Sequence, residues 1–353
     1  MTVEQDIRFE RRNGLAVVTL NRPKALNALT LEMCRVYDAQ LADWAKDPAV
    51  AAVLIKGEGE RAFCAGGDVR AIWEGVRDGG DLPAAFFAAE YRMNRRIFHF
   101  PKPYIALIDG ITMGGGVGVS IHGSHRIATE NTLFAMPETG IGLFPDVGAT
   151  YALPRLPGKL GLYLGLTGAR LKAADCLYAG IATHFVPRDR LDDLETALAE
   201  TDWGGEPAQA ADRAINAVAG DPGPASLAAH RDTIDRCFAD ESVDAILAAL
   251  MAEGDDWAAK TRADLLTRSP TSLRVSLRAI RDGARLAFDE AMTVEYRLSQ
   301  ACMAGHDFSE GVRALIIDKD NAPQWRPSSL AEVSDQAVET YFQPPGAGDL
   351  VFR

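Results

Sequence analysis

The apolar and polar positions of the first two hundred residues alternate between two periods. In IRFERRNGLAVVTL (7–20), two β-type runs flank Asn13-Gly14. Both turn residues tolerate positive φ, so the segment predicts a β-hairpin. Residues 30–45 open on Thr30, a helix N-cap type, and carry helical spacing at Leu31, Val36, Leu41 and Trp44. The runs AVAAVLIKG (49–57) and PYIALIDG (103–110) end in glycine and predict buried strands. Residues 83–98 and 114–121 read as helices, and HRIAT and TLFAMPE as short strands. Strands alternating with helices predict an α/β fold. Beyond about residue 205 the strand signals stop. Six helices are expected there, at 207–219, 224–239, 241–253, 257–267, 271–282 and 287–303. The expected organisation is an α/β core at 1–204 and a helical region at 205–353, with the boundary in WGGEP (203–207).

Composition narrows the function classes. No run of about 18 apolar residues occurs, so no membrane span is expected. The net charge is -12, a field that opposes generic binding to nucleic acid or to an anionic membrane. An anionic substrate needs a local basic patch against it. The five cysteines are scattered and none forms a CxxC pair, which predicts reduced thiols. MTVEQDIRFE has neither a basic, apolar leader nor an Arg-rich one. A cytoplasmic location is the resulting expectation.

Two glycine turns follow predicted strands: Phe63-Cys64-Ala65-Gly66-Gly67-Asp68 and Gly114-Gly115-Gly116. Glycines there let backbone approach a ligand, and at a helix start they present unpaired N–H groups. Two such turns can aim two N–H groups at one oxygen, which is an oxyanion hole. Each turn alone is more readily a structural one. GxGxxG spacing and a Walker lysine are both absent. The segment 136–158 then joins Glu138 and Asp146 to four glycines and four prolines. A rigid loop with two carboxylates suits acid/base work, although a helix cap and a solvated glutamate also satisfy the pattern. Apolar neighbours at Ile141, Leu143 and Phe144 predict burial, which raises a carboxylate pKa. His122 and His125 lack a third ligand, so no metal site is expected. No GxSxG elbow is present.

LNRPKALNAL (20–29), AFCAGGDVR (62–70), GITMGGGVGVSIHG (110–123) and FAMPETGIGLFPDVGATYALPRL (134–156) resemble the crotonase, or enoyl-CoA hydratase/isomerase, superfamily. Together with 166–186, 269–283 and 295–327 they are similar in particular to its 3-hydroxyisobutyryl-CoA hydrolase branch. The resemblance implies a spiral of ββα turns followed by helices. It places the oxyanion donors on the Gly67 and Gly115 N–H groups and the catalytic carboxylate on Glu138. Asp146 matches the hydrolase branch, where hydratases tend to have glycine, and Glu90 matches a substrate-site glutamate of that branch. Lys24 and Arg70 are the implied phosphate contacts. A hydratase carries a first catalytic glutamate two residues after the triple glycine; here that position is Gly118.

The implied reaction is hydrolysis of 3-hydroxyisobutyryl-CoA to the free acid and CoA, a step of valine breakdown. Coenzyme A enters as part of the substrate, and no metal or redox cofactor is expected. Many members form trimers or dimers of trimers, so a homo-oligomer or a monomer is expected. Two alternatives stay open: a hydratase or isomerase using one glutamate, and a CoA-binding protein without catalysis.

Overall fold

The computed structural model describes residues 3–352. Met1 and Thr2, which begin the segment read above as leaderless, and Arg353, which ends the expected helical region, lie outside the described residues. The chain forms two compact units, each assembled from discontinuous stretches. The first comprises residues 1–67, 92–134 and 170–228, and the second 68–91, 135–169 and 229–353. This division differs from one boundary at 203–207. Hydrophobic period reports where element type changes, whereas a unit is set by contacts that local pattern does not encode.

The first unit is built on a six-stranded sheet in the order β1-β2-β3-β5-β7-β9. β1 (Ile7–Arg12) and β2 (Leu15–Leu20) form the expected hairpin. Asn13 and Gly14 both take positive φ, 46° and 81°, as a two-residue hairpin turn demands. β2, β3 (Ala52–Gly57), β5 (Tyr104–Ile108), β7 (His125–Ala128) and β9 (His184–Phe185) run parallel. β2 and β5 are buried at every position, the continuous apolar pattern of strands covered on both faces. Leu194, Leu198, Ala211 and Ile215, on helices Leu191–Ala199 and Pro207–Asn216, pack over one face against Val17, Leu54, Ile105 and Ile127.

A second, three-stranded sheet has the order β4-β6-β8, with β4 Ala62–Cys64, β6 Ile111–Met113 and β8 Leu133–Ala135. Consecutive strands therefore alternate sheets: β3 then β4, β5 then β6, β7 then β8. Each turn of chain lays one strand in each sheet, which is a spiral of ββα turns. The helix expected over 114–121 is a single turn, Gly115–Gly118, because successive glycines have poor helix propensity. That turn lies close on β4: a Cβ at Gly116 would stand 2.0 Å from the Cys64 carbonyl oxygen.

The second unit is mainly helical. Its helix Pro270–Gly283 starts at Ser269, whose hydroxyl accepts from Ser272 N–H. Helix Leu160–Thr167 is buried at every position, so LGLYLGLT has no polar face to reveal its period. The helix nonetheless forms, and Gly161 lets it approach the Leu153 carbonyl, 1.9 Å from where a Cβ would stand. No described helix is long and apolar enough to cross a membrane.

Gly116→Ala is expected to lose about 1–3 kcal/mol or more of stability, the scale of overpacking, because the obstructing atom is backbone. Gly346→Ala, which meets nothing within 4 Å, should stay within about 0.5 kcal/mol. Urea unfolding midpoints of the two variants check the contrast.

Candidate active site

The second unit gathers four carboxylates in its interior. After β8 the chain turns at Pro137 into a 3-10 turn, Glu138–Ile141, closed by Gly142 at φ 70°. Gly140 N–H donates to Pro137 O at 2.9 Å, and Leu143 N–H to Glu138 O at 3.0 Å. Helix His306–Val312 fixes this turn from outside. A Cβ on Gly142 would fall 2.2 Å from the Asp307 carbonyl carbon, and one on Gly311 would fall 2.6 Å from Ile141 Cα. Thr139 adds two ties: its hydroxyl donates to Leu166 O at 3.0 Å and its carbonyl accepts from Ser269 N–H at 3.1 Å. Glu138 is thereby held buried, and its Oε2 has no hydrogen-bond partner.

Asp146 follows on the same segment and is also buried. Its Oδ2 accepts the Tyr91 hydroxyl at 2.8 Å. Tyr91 and Glu90 come from helix Leu82–Phe98; both are buried, and Glu90 Oε1 is unpartnered. The fourth carboxylate is Glu295, fully buried on helix Phe288–Ala304. It accepts Gly148 N–H at 2.7 Å, Thr150 N–H at 3.0 Å and the Thr150 hydroxyl at 2.5 Å.

Burial sets the electrostatics. Glu138 is pushed well above the usual carboxylate range by desolvation and then by the Asp146 charge. Glu90 is raised first by desolvation and then by Asp146, Glu295 and Glu138. Asp146 rises to about 7 through desolvation, against the hydrogen bond from Tyr91. Glu295 rises to about 8 through desolvation and Asp146, against its three donors. Among the described residues no ion pair reaches any of the four. No group of three or more described His, Cys, Asp or Glu side chains is arranged to hold a metal ion.

The glycine turns lie in the first unit. Gly66 takes φ 122° and its carbonyl accepts Leu29 N–H at 2.8 Å. A Cβ built on Gly66 would be 3.8 Å from Gly115 N, so the two turns are side by side. Gly67 is half-buried, Gly115 buried. Gly115 opens the one-turn helix, where N–H groups have no intrahelical acceptor. Gly118 is buried in that turn. Lys24 lies exposed in the turn Pro23–Ala25, and Arg70 lies exposed at the start of helix Val69–Arg77. The structure thus brings Glu90, Glu138 and Asp146 into one cluster and Gly67 beside Gly115.

A family model described as enoyl-CoA hydratase/isomerase matches residues 15–342. The chain belongs to the enoyl-CoA hydratase/isomerase family. Within this family it is 51% identical over 337 residues to a protein of Xenopus tropicalis named mitochondrial 3-hydroxyisobutyryl-CoA hydrolase, covering 95% of this chain and 88% of that one. The Homo sapiens protein of the same name is 46% identical over 359 residues, covering 99% and 91%. Among solved structures, a carnitinyl-CoA dehydratase from Mycobacterium thermoresistibile aligns with a TM-score of 0.92 and 43% identity over 99% of both chains. An enoyl-CoA hydratase from Rhodobacter sphaeroides aligns at 0.90 and 39%, over 98% of this chain and all of that one. These enoyl-CoA hydratase/isomerase relatives establish the crotonase spiral. They also correct the expected cytoplasmic location, because the hydrolases are named as mitochondrial. Reduced thiols and an acidic surface are compatible with either compartment, so the signals used above do not report location.

Sequence reasoning missed Tyr91 and Glu295. Glu295 does have a signal: it lies in register with Ala291, Met292, Leu298 and Cys302, the buried stripe of its helix. A charged residue on an apolar stripe points to an internal partner.

The raised pKa of Glu90 also has a stability consequence. Its folded value lies above the unfolded one, so its contribution is favourable below about 4.5 and is lost as pH rises. Glu90→Gln removes that loss. Its thermal midpoint should match wild type near pH 4 and exceed it by about 2–4 °C near pH 8, the shift that ~1 kcal/mol produces in a large domain. A constant difference across that range would show that ionisation at Glu90 is not the cause.

Proposed function

We propose that this chain hydrolyses 3-hydroxyisobutyryl-CoA to 3-hydroxyisobutyrate and CoA, with Glu138 as the catalytic carboxylate. The observation that carries this reading is the buried Glu138 Oε2, which no group among the described residues satisfies. A buried acceptor without a partner is unfavourable in the free protein, and a reacting water or a substrate group relieves it. Burial also raises Glu138, which makes its ionised form a stronger base.

The family resemblance assigns the Gly67 and Gly115 N–H groups to the thioester oxygen, where they would stabilise developing negative charge. In the general-base route, Glu138 takes a proton from water as the water oxygen attacks the thioester carbon. The tetrahedral intermediate then collapses and the C–S bond breaks, releasing CoA. In the nucleophilic route, Glu138 attacks the same carbon, CoA leaves, and water hydrolyses the mixed anhydride. Both routes give the same products, and neither calls for a metal or redox cofactor. Lys24 and Arg70, both exposed, are the proposed contacts for the phosphates of CoA. Glu90 and Asp146 are the proposed contacts for the acyl group.

Hydratase chemistry is the competing reading, and two solved relatives carry names of that type. The absence of any side chain at Gly118 favours hydrolysis, because the family's first hydratase glutamate belongs there. The full-length relatives named as hydrolases are also the more similar, at 51% against 43% identity.

Glu138→Gln should lower kcat about 10²- to 10⁴-fold while acyl-CoA binding changes little. Thiol release from 3-hydroxyisobutyryl-CoA, read with a thiol reagent, checks this, and near-wild-type release would sink the assignment. The same assay on isobutyryl-CoA tests Asp146. A site built around a substrate hydroxyl penalises its absence, so wild type should prefer the hydroxylated thioester. Asp146→Ala should narrow that preference. Equal slowing on both substrates would assign Asp146 to orienting Glu138 instead.

A further inference from the structure

The segment that follows Asp146 is held in an unusual conformation. Val147 has φ 57° and Gly148 has φ 84°. Left-handed backbone is ordinary for glycine, but for a β-branched residue it is an outlier that persists only where the surroundings over-determine it. Here the determining group is visible. Glu295 Oε2 accepts Gly148 N–H at 2.7 Å, and Oε1 accepts both Thr150 N–H at 3.0 Å and the Thr150 hydroxyl at 2.5 Å. A second tie, Ala149 N–H to Asp146 O at 2.9 Å, closes the turn on itself. The Asp146 side chain is held separately, by the Tyr91 hydroxyl at 2.8 Å. Gly283 clears the last obstacle, since a Cβ there would lie 2.0 Å from Thr150 O.

We propose that Glu295 is a positioning residue for thioester hydrolysis: its carboxylate locks the Asp146–Thr150 turn and so fixes the direction in which Asp146 is presented. Both oxygens of Glu295 are committed to that turn, so it acts through Asp146 and not on the substrate. A buried carboxylate is a costly way to cap two backbone N–H groups. A carboxylate is nonetheless the one side chain that offers acceptors on both sides of its fork; Gln would turn an N–H₂ toward one of the donors. The ionisable groups that face Glu295 are Asp146 from the loop and Glu90 and Tyr91 from helix Leu82–Phe98.

This inference rests on the reading of Asp146 as a working residue, and the experiment separates the two. Glu295→Gln keeps the size, removes the ionisable group and leaves one donor of the turn without an acceptor. Its kcat for 3-hydroxyisobutyryl-CoA should fall about 10- to 100-fold, the effect of a misplaced working group. KM should stay within about threefold, and the acid limb of the kcat profile should stay in place, because the Glu295 charge does not act on Glu138 or Asp146. Thr150→Val removes the hydroxyl bond and keeps the Glu295 carboxyl group. It should lower kcat about 3- to 10-fold with the acid limb unmoved, and it carries the test if Glu295→Gln does not fold. Asp146→Asn is run beside both. With Asp146 already replaced, adding Glu295→Gln should slow the enzyme little further, because residues that act as a unit are not additive.

Full-rate Asp146→Asn rejects the working role of Asp146 and leaves Glu295 with nothing to position. A slow Asp146→Asn together with wild-type kcat and pH profile in the folded Glu295 or Thr150 variant overturns the positioning role alone. A fall in kcat that matches the fall in folded fraction by circular dichroism, with Glu295→Gln slowing Asp146→Asn further by the same factor, makes Glu295 merely structural and overturns it as well.

Discussion

Four carboxyl groups, those of Glu90, Glu138, Asp146 and Glu295, are buried together in the second unit, and among the described residues none has a cationic partner. Desolvating an acid favours its neutral form, so each of the four is displaced upward. What differs is how each is held. Glu295 accepts three hydrogen bonds and Asp146 one from Tyr91, whereas Glu90 and Glu138 each keep an oxygen that nothing satisfies. Such an arrangement is unfavourable for stability at neutral pH, and unfavourable burial of this kind is what sites for acid/base chemistry share.

Holding strained groups in place requires a rigid frame, and the frame is made by close backbone approach. Gly142 and Gly311 let helix His306–Val312 contact the Glu138 turn directly, and Gly283 lets the next segment contact Pro270–Gly283 at Thr150. The Asp307 side chain ties that frame further, accepting the Ser269 hydroxyl at 2.6 Å and the Arg326 N–H at 2.8 Å. Each side of the Glu138–Thr150 segment is thus fixed by main chain, which has far fewer ways to relax than side chains do.

Family members built on one spiral carry names of hydratases, dehydratases and hydrolases. A shared fold does not fix the chemistry, which follows from the residues carried on it. A side chain absent at Gly118 and an acid present at Asp146 are small changes in sequence. In the proposed reading these two positions separate the hydrolase pattern from the hydratase one.

The amino-acid sequence alone determined the hairpin at Asn13-Gly14, the buried strands and the helices at Leu31–Lys46, Leu82–Phe98 and Pro270–Gly283, because each carries its own period or turn chemistry. It also determined the candidate acids Glu138 and Asp146, which lie eight residues apart in one rigid segment. It did not reveal helix Leu160–Thr167, which is apolar all round, or the discontinuous units. Glu90, 48 residues before Glu138, was named by the family resemblance and not by its own pattern, and tertiary structure alone decided that Glu295, 149 residues after Asp146, joins the same cluster. Local pattern encodes what a residue does to its own turn of backbone. Whether a distant carboxylate closes on that turn depends on how helices pack, and only the folded chain specifies that.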